Sequence, residues 1–383
     1  MLLAGVLPLR AAWGQENVPA HLEKTIDQVL DGIDLSAAES IQIDAGWVGL
    51  DGVDGMAGIG EVLRELCAGG MLSPDDILED LMQKITGYAI RRGAVMAALA
   101  FPVLLSAVLA HAFGGRGASL SGMSRSVCFM LTLIPLLQMT VGELEHARET
   151  ILAVTGRMEM LLPLLLSLLT AVGGSASSAF LHPMVIAASG SMVFLAREVV
   201  LRLVMCTCAV TAVNHLSDRL HLTRLAQLLR SAVCWLLGVS FTVFIGVMSL
   251  QGVCSASTDG IAIRAAKYAV DNFVPVVGGM FSDTMDTLVG CTLIVKNAFG
   301  VTCVLALCGA IGAPLLQTLS SVLAIKLSAA VLEPVADDSV IRAMGDFSRT
   351  IVLFLITMLC VGTMYFLLIV QMLLVGNLTV MLR

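Results

Sequence analysis

From residue 93 onward the chain alternates between long apolar runs and short polar ones. The runs fall at about 93–113, 127–142, 160–174, 183–196, 199–213, 232–254, 273–296, 299–323 and 350–375. A membrane-crossing helix needs roughly 20 apolar residues, and runs of about 18 or more read as spans. The runs at 232–254 and 350–375 meet that length cleanly, whereas several in the middle fall short of it. The pattern predicts an all-α polytopic membrane protein with seven to nine membrane segments, including a broken or re-entrant helix.

The first 90 residues have a different pattern. "MLLAGVLPLRAAWGQ" is a short apolar stretch followed by small residues, which reads as a signal peptide over residues 1–15, although it lacks a basic start. "HLEKTIDQVLDGI" places Leu22, Ile26, Val29, Leu30 and Ile33 at helical spacing. "SPDDILEDLMQKI" opens with Ser73 as N-cap, Pro74 at the first helical position and acids in the first turn. Gly46, Gly49, Gly52, Gly55 and Gly58 punctuate the stretch between them, which reads as a flexible loop. The expected organisation is a signal (1–15), a small acidic helical region outside the cytoplasm (16–88) and a multi-span membrane domain (89–383).

Composition strengthens the membrane reading. Hydrophobic residues make up 57% of the 383 and charged residues 13%, against roughly 25% charged in soluble domains. The mean hydropathy is +0.92. The net charge of −7 is unevenly spread. Residues 16–88 carry fifteen acids against three bases, −12, so the remainder is +5. The basic stretches 114–125 and 213–230 read as cytoplasmic under the positive-inside rule. The acidic stretches 143–159 and 333–346 read as external. Arg91 and Arg92 conflict with that scheme if the N-terminal region is external. Within 213–230, Leu222, Leu225, Leu228 and Leu229 alternate with Arg219, Arg224 and Arg230, an amphipathic run suited to a membrane surface, a partner helix or a simple connector.

One stretch is too polar for its surroundings. "KYAVDNFVPVVGGMFSDTMDTLVGCTLIVKNAFG" (267–300) carries Lys267, Asp271, Asn272, Asp283, Asp286, Lys296 and Asn297. Lys267 and Asp271 are four apart and share a helix face. Pro275 and the pair Gly278–Gly279 then interrupt the helix. Ser282 caps a second helix, with Asp283 in its first turn. On that helix Asp283, Asp286, Gly290 and Asn297 fall within about 60° of one another, with Lys296 to one side. A charge at mid-bilayer costs roughly 2.5–3.5 kcal/mol on insertion scales, so such groups face protein or water. Three readings stay open: acids acting as caps on a packing face, an interrupted helix that binds or conducts ions, or intramembrane chemistry.

Catalytic signatures are missing. The ten cysteines form no CxxC pair, the six histidines show no ligand spacing, and no phosphate loop or nucleophile elbow is present. No catalytic, cofactor-binding or metal-ligating residue is expected, and no nucleic-acid partner.

With these residues in view, the chain resembles the stage III sporulation protein AE family of endospore-forming bacteria. The resemblance rests on "AIRAAKYAVDNFVPVVGGMFSDTMDTLVGCTLIVKNAFG" (262–300) and on the order of signal, acidic region and spans. It implies a polytopic protein in the mother-cell membrane around the forespore. It implies partners among the other membrane proteins of the same stage III sporulation operon and, through them, a forespore membrane protein. Together these would form a secretion-like channel complex supporting forespore development after engulfment, with no enzymatic activity and no cofactor. The rival expectation is a stand-alone secondary transporter of a small solute, using the interrupted helix as an ion site.

Overall fold

The computed structural model describes residues 42–44, 56–67, 82–88, 90, 93–113, 118–172, 175–216, 222–273 and 278–381; the side chains of 109–126 and 251–289, among others, lie outside that description. Strands β1 (Gln42–Asp44) and β2 (Met56–Gly58) pair antiparallel, with Gln42 opposite Gly58. Helices follow: α1 (Ile59–Cys67), α2 (Gly93–Phe113), α3 (Ala118–Ala171), α4 (Ser175–Phe194), a π turn (Leu195–Val200), α5 (Leu201–Leu216), α6 (Thr223–Phe273), α7 (Gly278–Leu332) and α8 (Asp338–Met381).

Among the described residues, four helices are long and apolar enough to cross a membrane: Phe129–Ala171, Thr223–Leu250, Gly290–Leu332 and Asp338–Asn377. A shorter apolar helix covers Met96–Leu105. The protein is a helical membrane protein. Several runs that the sequence separates belong to one rod. The run 127–142 and residues 160–171 of the next run are both part of α3, and 299–323 continues the helix that begins at Gly278. The runs 183–196 and 199–213 are joined through the π turn. Charges alone separate these runs, and charge does not end a helix; only lost hydrogen bonds or strained backbone do. Pro135, Pro163 and Pro314 sit inside α3 and α7 without ending them, as packed membrane helices allow.

Helices α7 and α8 form an antiparallel hairpin. Pro334 stands two residues past Leu332, the last residue of α7, and has no N–H with which to extend it. The Asp337 carbonyl then accepts from the N–H groups of Val340 (2.9 Å) and Ile341 (3.3 Å), and Asp338 supplies an acid at the positive end of α8. Side-chain bonds fix the register of the bundle. Glu143 of α3 meets Thr318 and Ser321 of α7, Lys296 of α7 meets Leu373 and Asn377 of α8, and Tyr365 of α8 meets Thr155 of α3. So α3 and α8 run parallel, with α7 antiparallel between them.

The core divides into two clusters along this axis. One holds Leu99, Leu136, Ile325, Met344 and Phe347. The other holds Ile151, Met158, Phe299, Phe354 and Tyr365, and takes in Ile59, Val62 and Leu63 of α1.

Several sequence expectations change here. Residues 143–159 are not an external loop: they are the middle of α3, with Ala147, Ile151, Val154 and Met158 buried. Segments 213–230 and 333–346 do not lie on opposite sides of the membrane, because Asp346 bonds both His215 and Arg230 at one end of the bundle. The positive-inside count treated those charges as independent, whereas they neutralise one another. Arg230 therefore faces protein rather than a membrane surface. Gly58, read as loop, is in a strand. The signal at 1–15 and the amphipathic stretch at 21–33 lie outside the described residues; of 73–85, only 82–85 are described, and they are helical.

Candidate functional site

Three buried polar clusters sit at defined levels of the bundle. The first is on α7 and α8. Lys296 is fully buried within an apolar span. Its Nζ donates to the Leu373 carbonyl (3.0 Å) and to Asn377 Oδ1 (3.5 Å). Gly376 makes room for it: a Cβ there would overlap the ammonium, with Lys296 Cε 2.8 Å away and Leu169 Cδ1 3.1 Å away. The adjacent Asn297 has a buried Oδ1 with no hydrogen-bond partner. Among the described residues no ion pair involves Lys296. Replacing Lys296 with methionine keeps the stem and removes a buried charge, whose desolvation offsets the two lost hydrogen bonds. Lys296→Met should therefore melt in detergent within a few degrees of the parent. Lys296→Glu should fail to accumulate, because its carboxylate would face two acceptors. A thermal shift assay and a membrane immunoblot check both.

The second cluster centres on Glu143 of α3, which is buried. Thr318 Oγ1 donates to its Oε2 (2.8 Å) and Ser321 Oγ donates to its Oε1 (2.5 Å). Sequence reasoning missed Glu143 by grouping it with an external acidic stretch. The signal was present: Thr140, Glu143, Ala147 and Thr150 recur at helical spacing, and all four are buried.

The third joins α5, α6 and α8. Asp346 bonds His215 Nε2 through Oδ2 (3.0 Å) and Arg230 through Oδ1 (3.1 Å). Arg230 also donates to the Asp346 carbonyl (3.0 Å) and to Thr211 Oγ1 (3.4 Å). Arg349 stands 3.6 Å from Oδ1 and is largely exposed. A cavity of ≈ 20 Å³ adjoins the cluster, lined by Thr211, Asn214, Thr223, Gln227, Arg230 and Asp346. It has room for one water, which would reach the buried, unpartnered Arg230 Nε. These partners are over a hundred residues apart in sequence, so no local pattern reveals them.

Of the polar stretch read from the sequence, Gly290, Lys296 and Asn297 fall among residues with described side chains. Lys267, Asp271, Asn272, Gly278, Gly279, Asp283 and Asp286 have helical backbone, but their side chains lie outside that description, as does Pro275 altogether. Helix α6 ends at Phe273 and α7 begins at Gly278. The structure brings Lys296 to Asn377, a partner the sequence did not suggest.

The family profile described as stage III sporulation protein AE matches residues 58–376. The chain belongs to the stage III sporulation protein AE family. Stage III sporulation protein AE of Bacillus subtilis (strain 168) is 29% identical over 396 residues, covering 100% of this chain and 98% of that protein. No solved structure matches the chain. The matched region of this stage III sporulation protein AE family member includes α1, the α7–α8 hairpin up to Gly376 and the three polar clusters except Asn377. Membership implies a role in sporulation.

Proposed function

We propose that the chain is a membrane component of a secretion-like channel complex between mother cell and forespore, required for forespore development after engulfment. The observation that carries this reading is the family match across nearly the whole helical bundle. Its place is the mother-cell membrane surrounding the forespore. Its partners are other membrane proteins of the same sporulation operon, a forespore membrane protein beyond them, and membrane lipid. Residues 1–15 act as a signal, 16–88 lie outside the cytoplasm, and 89–383 form the multi-span membrane domain. Pro275 and the pair Gly278–Gly279 make a broken-helix element in this reading, with Lys267, Asp271, Asp283 and Asp286 placed to line a path or dock a partner subunit. The chain works without catalysis or cofactor.

Asp283→Asn combined with Asp286→Asn is expected to lower heat-resistant spore counts by about ten-fold or more, since neutral amides no longer hold a cation or a basic partner at that depth. Parental spore counts with normal protein levels would remove any role for those charges. The same helix interruption supports a second reading, a stand-alone solute transporter. Solute uptake by the purified chain alone in liposomes would favour it, and dependence on co-expressed operon partners would favour the complex.

A further inference from the structure

One face of α3 does not suit its surroundings. Contacts place Glu143 level with Thr318 and Ser321, and Leu169 level with Gly376 and Lys296. Between Lys296 and Thr318, α7 advances about 33 Å at the helical rise, close to the ~30 Å hydrocarbon thickness of a bilayer. Within that section α7 and α8 carry no charged residue. Yet α3 carries Glu145, Arg148, Glu149 and Glu159 there, all exposed, with a half-buried Arg157 on another face. They are not scattered. Gln138, Gly142, Glu145, Arg148, Glu149, Leu152, Gly156, Glu159, Pro163, Ser167 and Thr170 recur at helical spacing and form one stripe about 48 Å long, which also takes in the exposed Val141 and Met160. All are exposed except Gly156, which is half-exposed. The opposite face of the same helix is core: Ala147, Ile151, Val154, Met158 and Leu165.

Helix α6 shows what a lipid-facing surface of this protein looks like. Its outward face presents Leu228, Trp235, Val239, Val243 and Leu250. The α3 stripe differs: apart from Val141, Leu152 and Met160 it is charged, polar or small. Among the described residues none of its four charged groups makes an ion pair. Four charges against acyl chains would each cost roughly 2.5–3.5 kcal/mol, so the stripe faces water or another protein surface rather than lipid. Among the described residues nothing covers the stripe, which leaves its other side to be closed by another molecule. A second copy inserted in the same direction brings a stripe of the same length at the same depth. Arg148 on one copy then lies within a turn of Glu145 or Glu149 on the other.

We propose that the outward stripe of α3 is the water-facing wall of a path through the membrane, closed on its other side by the same stripe of a second copy of this chain. Three acids against Arg148 favour the entry of cations. The wall is read from α3 itself; only the purpose of the path rests on the channel-complex reading.

Cysteines placed along the stripe test it: Leu152→Cys, Gly156→Cys and Ser167→Cys. A Cβ at Gly156 meets nothing within 4 Å, so that variant has room to fold. Val243→Cys on α6, where the parent side chain is 60% exposed, is the lipid-facing control. The full chain is expressed in its host with the operon intact. A charged, membrane-impermeant thiol reagent is applied to vesicles of both orientations, and labelling is read by mass spectrometry at each substituted peptide, so native cysteines do not enter. The stripe positions should react about ten-fold faster or more than Val243→Cys, because a thiolate forms only where water reaches. Labelling no faster than the control would overturn the wall. Oxidation of Gly156→Cys should give a cross-linked product of two identical chains; a product containing a different polypeptide would overturn the second copy. Labelling does not depend on spore formation, so fast labelling in a strain that needs no such gene to sporulate would keep the wall and remove the channel-complex reading.

Discussion

Gly300→Leu is expected to abolish folded protein in the membrane. Gly300 lies on α7 where α8 crosses it, and a Cβ there would overlap the Leu373 side chain, whose Cγ and Cδ1 stand 2.7 and 2.8 Å away. Gly362 meets Ile311 across the same pair of helices, and Gly376 meets Lys296. Small residues of this kind let membrane helices approach closely enough for dispersion to hold them, in the absence of any hydrophobic gain between them. Overpacking by a methylene or two costs about 1–3 kcal/mol. Leucine adds more than that, against a total stability of about 5–15 kcal/mol for an ordinary domain. Gly300→Ala should lie in the 1–3 kcal/mol range. Trimming the obstruction in Gly300→Ala/Leu373→Ala should cost less than the two single changes summed, as expected for residues in contact. Melting of the detergent-solubilised variants reads this. A Gly300→Leu protein that melts with the parent would mean α7 and α8 do not pack as described.

Asp346→Ala carries the second large effect. Asp346 holds His215 and Arg230, and both it and Arg230 are mostly buried, with side chains 20% and 15% exposed. Removing one partner of such a pair strands the other charge, at about 3–5 kcal/mol when burial is complete. The residual exposure here brings the expected loss to about 2–4 kcal/mol. Arg349→Ala is the internal control: its side chain is 72% exposed, so its loss should be about 1 kcal/mol or less. Asp346→Ala/Arg230→Met, which removes both charges and keeps an apolar stem, should recover part of the stability. Equal melting shifts for Asp346→Ala and Arg349→Ala would show that the cluster does not lock α5, α6 and α8 together.

The sequence made the membrane class legible because hydrophobic content and run length are local properties. The run at 350–375 lies wholly within α8, and 232–254 within α6. It misjudged what happens between runs. Residues 143–159 looked like a connection because they are charged, yet they contain no glycine pair or proline to end a helix, and one of their faces is apolar. Periodicity within that stretch, rather than its mean polarity, carried the answer. The polar clusters divided in the same way. Glu143 could have been found from its spacing with Thr140 and Ala147. Asp346 could not, since its partners His215 and Arg230 come from two other helices. The family resemblance was legible from the 262–300 block, which lies within the matched region.

The measurement that tests the sporulation assignment most directly is deletion of the gene in its host, followed by microscopy of sporulating cells. The account predicts normal vegetative growth, completed engulfment and then arrest, with small or collapsing forespores. Normal, heat-resistant spores would contradict it.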